Sequence, residues 1–141
     1  MTIEYRVDPE RRIVLTRVNG SLTHEEWLAY QREAWSHAEL DGYDELIDMT
    51  DAGEMVQPSP ERIREVARLA AGMDPPASSS RLVVVAPTDL TFGLARMLEA
   101  YRDLDARSTK RVAVFRTMEE AQAYLARPAS EPEPDGGPLG H

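Results

Sequence analysis

Three carboxylates, Asp48, Asp51 and Glu54, fall at and just after the end of a short apolar run at residues 46–49. In open α/β sheets ligands bind at the carboxyl ends of strands, so acids at such a position are candidates for chemistry. Their oxygen ligands would suit a hard cation such as Mg²⁺. Because the chain has 25 acidic residues, a solvated acidic loop is the favoured interpretation. We therefore predict no metal site, and these three carboxylates are the candidates if a cation does bind.

Hydroxyl groups near this loop offer a second kind of chemistry. Ser59 precedes Pro60 and Glu61, which is the pattern of a helix N-cap followed by proline and an acid in the first turn. A helix N-terminus also accommodates a phosphoryl group, so Ser59 and the nearby Thr50 are candidate phosphorylation sites. For Ser59 the capping role alone is favoured, since caps are common and switches are rare.

A second polar cluster, Thr88, Asp89 and Thr91, follows the apolar run at residues 82–86. One of these side chains must cap the helix that begins there, and capping alone explains the cluster. The alternative is a shallow pocket between this turn and the acidic loop, with Phe92 as its apolar wall. The candidate ligand-binding residues are therefore Asp48, Thr50, Asp51, Thr88 and Phe92.

Several catalytic motifs are absent from the sequence. It contains no G-x-G-x-x-G or Walker phosphate loop and no G-x-S-x-G nucleophile elbow. It also contains no cysteine, which excludes a thiolate nucleophile, a disulfide and zinc held by sulfur. We predict no cofactor and favour a non-catalytic protein. An enzyme that uses Asp48 and Asp51 with a divalent ion is the least favoured functional class.

The net charge limits the partners. The formal charge is −9, from 25 acidic and 16 basic residues, which argues against nonspecific binding to polyanionic nucleic acid. Anionic membranes are disfavoured for the same reason, and no apolar run is long enough to predict membrane insertion. Residues 1–25 show no apolar run after a basic start, so we see no secretory signal and predict a cytoplasmic protein.

Alternating strands and helices must position these groups. The β-branched runs at residues 3–7 and 13–19 predict an opening hairpin. Thr23 and Thr117 each precede a glutamate by three residues, which is the capping-box spacing of a helix start. Residues 82–86 are apolar without alternation, so we predict a strand covered on both faces at the centre of the sheet. The order ββαβαβαβα predicts an α/β fold, a single layered domain with a mixed five-stranded sheet and four helices.

The last fourteen residues differ in composition from the rest of the chain. Residues 128–141 contain four of the ten prolines, three of the eight glycines and three acids. A stretch of this kind does not bury enough apolar surface to offset its ordering entropy. We therefore predict one domain at residues 1–127, followed by a disordered acidic tail rich in proline and glycine.

Three segments resemble a known family over residues 1–127. They are the strand end Leu46-Ile47-Asp48, the helix segment TFGLARM at residues 91–97 and the segment VAVFRTMEEAQAYL at residues 112–125. Together with the element order, they are similar to the SpoIIAA-like division of the STAS superfamily (sulfate transporter and anti-sigma factor antagonist domains). The resemblance implies a small cytoplasmic regulatory or protein-interaction module without catalytic machinery.

The resemblance also indicates where a regulatory site would lie. Anti-sigma factor antagonists carry a phosphorylatable serine or threonine in a compact turn between the third strand and the second helix. The matching region here contains Thr50 and Ser59, but nine residues separate Met49 from Ser59. Our leading hypothesis is a module that binds an unidentified protein partner. The alternative is a module that binds a small molecule or lipid in the cleft at the strand carboxyl ends, and self-association as a homodimer stays open.

Overall fold

Strands and helices alternate in the predicted order. The computed structural model describes residues 2–53, 59–76 and 79–128. The elements are β1 (Ile3–Asp8), β2 (Ile13–Gly20), α1 (His24–Trp35), β3 (Asp44–Ala52), α2 (Pro60–Met73), β4 (Arg81–Val85), α3 (Asp89–Leu104), β5 (Arg111–Phe115) and α4 (Met118–Leu125), with a 3-10 turn at Ala38–Leu40. Residues 129–141 of the predicted tail and Glu54 of the acidic loop lie outside the described residues.

The sheet is mixed and five-stranded, as predicted. Its strand order is β1-β2-β3-β4-β5, in which β1 pairs antiparallel with β2 and the other neighbours are parallel. The central strand is therefore β3, and the prediction that residues 82–86 form the central strand was wrong. Both faces of β4 are buried nonetheless: Val84 packs in the core beneath the helices, and Val83 packs in a second core with Tyr124 of α4.

Helices α1, α2 and α3 pack on one face of the sheet. Each new parallel strand is added on the same side of the previous one, so successive right-handed crossovers place their helices on the same face. The shared core contains buried side chains from all three helices, namely Leu28, Ala34, Ile63, Val66, Ala67, Ala95 and Leu98. Within the residues that the structure describes, no helix has the length and apolar character needed to cross a lipid bilayer.

Helix α4 lies on the opposite face, where it packs against β4 and β5. Arg81, at the start of β4, fixes the end of this helix. Its Nη1 donates to the carbonyl oxygens of Tyr124 and Arg127 at 3.3 and 2.7 Å, and its Nη2 donates to Asp44 Oδ2 at 2.6 Å. This guanidinium thus supplies the donors that the last carbonyls of a helix otherwise lack. At its edge α4 also buries Ile13 of β2 and Leu46 of β3, but Glu4, Arg6 and Arg17 on this face stay exposed.

Candidate functional site

The acidic group predicted from the sequence lies at the end of β3, where that strand contains a bulge. Arg17 of β2 lies opposite Asp48, whereas Asn19 lies opposite Asp51, so β3 has one extra residue in this stretch. Within the bulge, the backbone N and the Oγ1 of Thr50 donate to Asp48 Oδ1 at 2.9 and 2.5 Å. The structure therefore brings Asp48 and Thr50 together, and this carboxylate has donors from its own strand.

The Asp51 carboxylate forms an ion pair with the Arg17 guanidinium, and both side chains are exposed. The hydrogen bond to Asp51 and the charge of that carboxylate raise the pKa of Arg17, and the charges of Asp48 and Glu4 raise it further. A pair this exposed contributes little to stability because water screens it. A bound molecule could therefore replace either partner of the Arg17–Asp51 pair at a small cost in free energy.

A groove runs along α4 beside strands β1, β2 and β3, and we call it the α4 groove. Its volume is about 430 Å³. Its lining consists of Glu4, Tyr5, Arg6, Leu15, Thr16, Arg17, Leu46, Asp48, Met118 and Gln122. Its aliphatic strand residues are Leu46, which is buried in the second core, and the half-buried Leu15, which packs against that core. The groove therefore combines apolar surface with charges of both signs.

The turn that contains Thr88 and Phe92 has other contacts. Thr88 is the N-cap of α3, and its Oγ1 accepts from the backbone N of Thr91 at 3.1 Å. The Phe92 ring packs against the core beneath the helices, with the Arg116 guanidinium 4.3 Å from its centre. Neither Thr88 nor Phe92 lines the α4 groove, which contains Asp48.

Ser59 has the capping role predicted from the sequence. It is the N-cap of α2, and its Oγ accepts from the backbone N of Arg62 at 3.2 Å. For a metal ion, no group of three acidic or histidine side chains in residues 2–53, 59–76 and 79–128 has a suitable arrangement. Glu54, the third candidate carboxylate, is outside these ranges.

Sequence reasoning missed a buried polar cluster beneath α1. Glu45 Oε2 accepts from the Tyr30 hydroxyl at 2.6 Å, and Glu45 Oε1 accepts from Lys110 Nζ at 3.2 Å. The ammonium also lies 3.2 Å from the centre of the Trp35 ring. Burial lowers the pKa of Lys110, although the charge of Glu45 opposes that shift; burial and the Glu45 charge raise the pKa of Tyr30 well above its usual value. A signal was present in the sequence, because Lys110 is the sole lysine of the chain.

A second, smaller cavity lies beneath the helices near the carboxyl ends of β2, β3 and β4. Its volume is about 20 Å³, which is room for a single water molecule. All its lining side chains are apolar: Ile3, Val18, Leu22, Trp27, Ile47, Met49, Val84, Leu94, Ala95 and Leu98. In this conformation the cavity is too small for an acyl chain.

Comparison with known proteins identifies the fold. No protein-family model matches the chain. No curated protein matches it either. A similar solved structure is an uncharacterised protein of the DUF3478 family with a SpoIIAA-like fold from Shewanella loihica PV-4, with a TM-score of 0.57 and 13% sequence identity. The match covers 87% of this chain and 93% of that chain. The predicted SpoIIAA-like α/β fold is thereby confirmed.

Proposed function

We propose that this protein is a non-catalytic regulatory module that binds a protein partner in the α4 groove. The observation that carries the proposal is the exposed surface beside α4, where the half-buried Leu15, packed over the buried Leu46, lies among charged side chains. Protein interfaces commonly combine an apolar centre with a polar rim in this way. The SpoIIAA-like fold is compatible with such a role but specifies no partner. The proposal includes a cytoplasmic location, which fractionation of the native host's cells tests.

The charges of the α4 groove indicate what the partner must offer. Arg6 and Arg17 supply positive charge, and Glu4 and Asp48 supply negative charge. A complementary segment therefore carries an apolar anchor flanked by charges of both signs. Oppositely charged patches on two partners speed association and suppress incorrect partners more than they raise affinity.

Photo-crosslinking in the native host tests this proposal. A photoreactive residue at Met118, which lines the α4 groove, should yield a crosslinked partner. The same residue at the exposed Leu104 on α3 should not. The substitution Leu15→Arg, which puts a charge inside the groove, should abolish the Met118 crosslink, whereas Leu104→Arg should leave it intact. Thermal melts of both variants check folding, and a crosslink that Leu15→Arg leaves unchanged counts against the proposal.

We also infer that a phosphoryl switch, where the host has one, acts at Thr50 or Ser59. Thr50 is exposed, and its phosphate would lie beside Asp48 and compete with Asp51 for Arg17. A phosphate on Ser59 would instead meet the free N–H groups at the start of α2. Phosphopeptide mapping of protein isolated from its host decides between the two sites. Both residues found bare under every growth condition would contradict the switch.

Small-molecule or lipid binding is the second candidate function, and the apolar cavity near the strand carboxyl ends favours it. That cavity must enlarge before it admits a ligand, so a bound molecule would separate α3 from the sheet. Native mass spectrometry of protein from its host should then reveal an added mass. Exchange of Leu94 and Leu98 amide hydrogens should slow when the ligand is bound. A bare mass under gentle conditions, together with unchanged exchange on addition of fatty acid, argues against this function.

A further inference from the structure

Strand β1 forms one edge of the sheet, and half of its backbone groups point away from the molecule. The backbone N–H of Asn19 donates to the carbonyl oxygen of Thr2 at 2.7 Å, which marks a hydrogen-bonded pair of the β1–β2 ladder. Because such pairs alternate along an antiparallel ladder, the even-numbered residues of β1 bond to β2. The N–H and C=O groups of Ile3, Tyr5 and Val7 therefore point outward at the edge.

The side chains of β1 alternate between apolar and charged. Ile3 and Tyr5 pack against the core beneath the helices, and Val7 on the same face is 38% exposed. Glu4 and Arg6 lie on the other face, where both are exposed and line the α4 groove. Within the part of the chain that the structure describes, the Arg6 side chain forms no ion pair. The edge thus presents an exposed apolar side chain and two opposite charges spaced two residues apart.

We propose that two copies of this chain pair through their β1 strands, antiparallel about a twofold axis at Tyr5. In this register Tyr5 faces its own counterpart, Ile3 of each chain faces Val7 of the other, and Glu4 of each chain faces Arg6 of the other. The outward backbone groups of residues 3, 5 and 7 then form six N–H···O=C bonds. The product is a continuous ten-stranded sheet, with both sets of helices on one face and both α4 grooves on the other.

Charge selects this register over its neighbours. A shift that places the axis at Glu4 would set the two glutamates opposite each other, and a shift to Arg6 would do the same with the arginines. Like charges directly opposite each other on neighbouring strands are destabilising. A shift of one residue in the pairing would set apolar side chains against charged ones. Charged residues on an edge strand can also prevent pairing with another sheet. If Glu4 and Arg6 have that role, the chain stays monomeric at every concentration.

Charge reversal with rescue tests the pairing. Sedimentation velocity over a concentration series should show a monomer–dimer equilibrium for the native chain. Arg6→Glu turns both Glu4–Arg6 pairs into repulsive pairs, so the dissociation constant should rise about tenfold or more. Glu4→Arg should have the same effect. The double variant Glu4→Arg/Arg6→Glu should restore the homodimer, and an equimolar mixture of the two single variants should form a heterodimer. Arg68→Glu, an equal charge change at an exposed position on α2, is the control.

Disulfide trapping tests the position of the axis. The chain has no cysteine, so an introduced one can pair only with its own copy or an external thiol. Opposed residues of a hydrogen-bonded pair have Cα atoms about 5.5 Å apart, which suits a disulfide, so Tyr5→Cys should crosslink. Val7→Cys should not, because the two copies of residue 7 are about 14 Å apart along the strands. A chain that stays monomeric, or a dimer insensitive to Arg6→Glu, overturns the proposal. Because Glu4 and Arg6 also line the α4 groove, Val7→Asp, at an exposed residue outside that groove, separates the two proposals: it should weaken the dimer and leave the Met118 crosslink intact.

Discussion

Removal of the Lys110 ammonium tests how the polar cluster beneath α1 is stabilised. The Lys110 and Glu45 side chains are 4% and 3% exposed, with 3.2 Å between Nζ and Oε1. Lys110→Met would leave the Glu45 carboxylate buried with one neutral donor, the Tyr30 hydroxyl at 2.6 Å. Breaking a buried ion pair at one partner costs about 3–5 kcal/mol. For a chain of this size that loss lowers Tm by about 10–18 °C, and it is a large share of the ~5–15 kcal/mol that stabilises an ordinary domain.

A second substitution shows whether the loss comes from the unpaired charge. Glu45→Gln keeps an acceptor for the Tyr30 hydroxyl but removes the charge, so the double variant Lys110→Met/Glu45→Gln should be at least ~1.5 kcal/mol more stable than Lys110→Met alone. Urea unfolding followed by tryptophan fluorescence measures these free energies at pH 7. Asp89→Asn serves as the control, since Asp89 is 97% exposed in its pair with Arg116 and should cost about 1 kcal/mol or less. If the two single losses add up to the double loss within ~0.5 kcal/mol, the residues are not coupled and the explanation fails.

Three further outcomes are expected. Because the pKa of Tyr30 is raised in the fold, the unfolded state releases this proton first as pH rises, so stability should fall above about pH 10. Tyr30→Phe should make that fall shallower in urea titrations between about pH 9 and 11; equal slopes would refute the assignment. Arg81→Met removes the ion pair with Asp44 and the donors to the last carbonyls of α4, so amide hydrogens of α4 should exchange faster while those of α2 stay protected. Ser59→Ala removes the N-cap of α2 and should cost about 1 kcal/mol in urea unfolding, whereas a cost near zero would show that the cap is not needed.

Local patterns predicted the elements well because their causes are local. The capping box at Thr23 forms as its spacing predicts: Thr23 Oγ1 accepts from the backbone N of Glu26, and Glu26 Oε1 accepts from that of Thr23. The apolar run of β4 correctly predicted a strand covered on both faces. The inference that this strand lies at the centre of the sheet was wrong. Strand β4 is buried on its second face because α4, from the far end of the chain, packs there. Long-range packing of that kind leaves no mark on the strand's own sequence.

In the candidate site, too, contacts within one strand could be predicted from the sequence and contacts between elements could not. Asp48 and Thr50 are neighbours on one strand, so their contact followed from the strand end itself. The predicted pocket between Asp48 and Phe92 depends on which face of the sheet each side chain occupies. Asp48 lines the α4 groove, whereas Phe92 packs against the core beneath α1, α2 and α3. The sequence pattern assigns no role to Lys110. Its place against Trp35 and Glu45 suits the compact, flexible ammonium of lysine better than the planar fork of arginine, which the chain uses at its other 15 basic positions.

The open face on which the function is proposed follows from strand order. Five strands at ~4.8 Å spacing span about 19 Å from edge to edge, and a helix about 10 Å wide covers two strand spacings. With the order β1-β2-β3-β4-β5, all three crossover helices lie on one face, and within the described part of the chain α4 is the one helix on the other face. Because Arg81 anchors the end of α4 over β4, that helix reaches Ile13 and Leu46 but leaves β1 and the later residues of β2 exposed on this face. A doubly wound order would have placed helices over those strands, so the α4 groove and the edge position of β1 have the same topological cause.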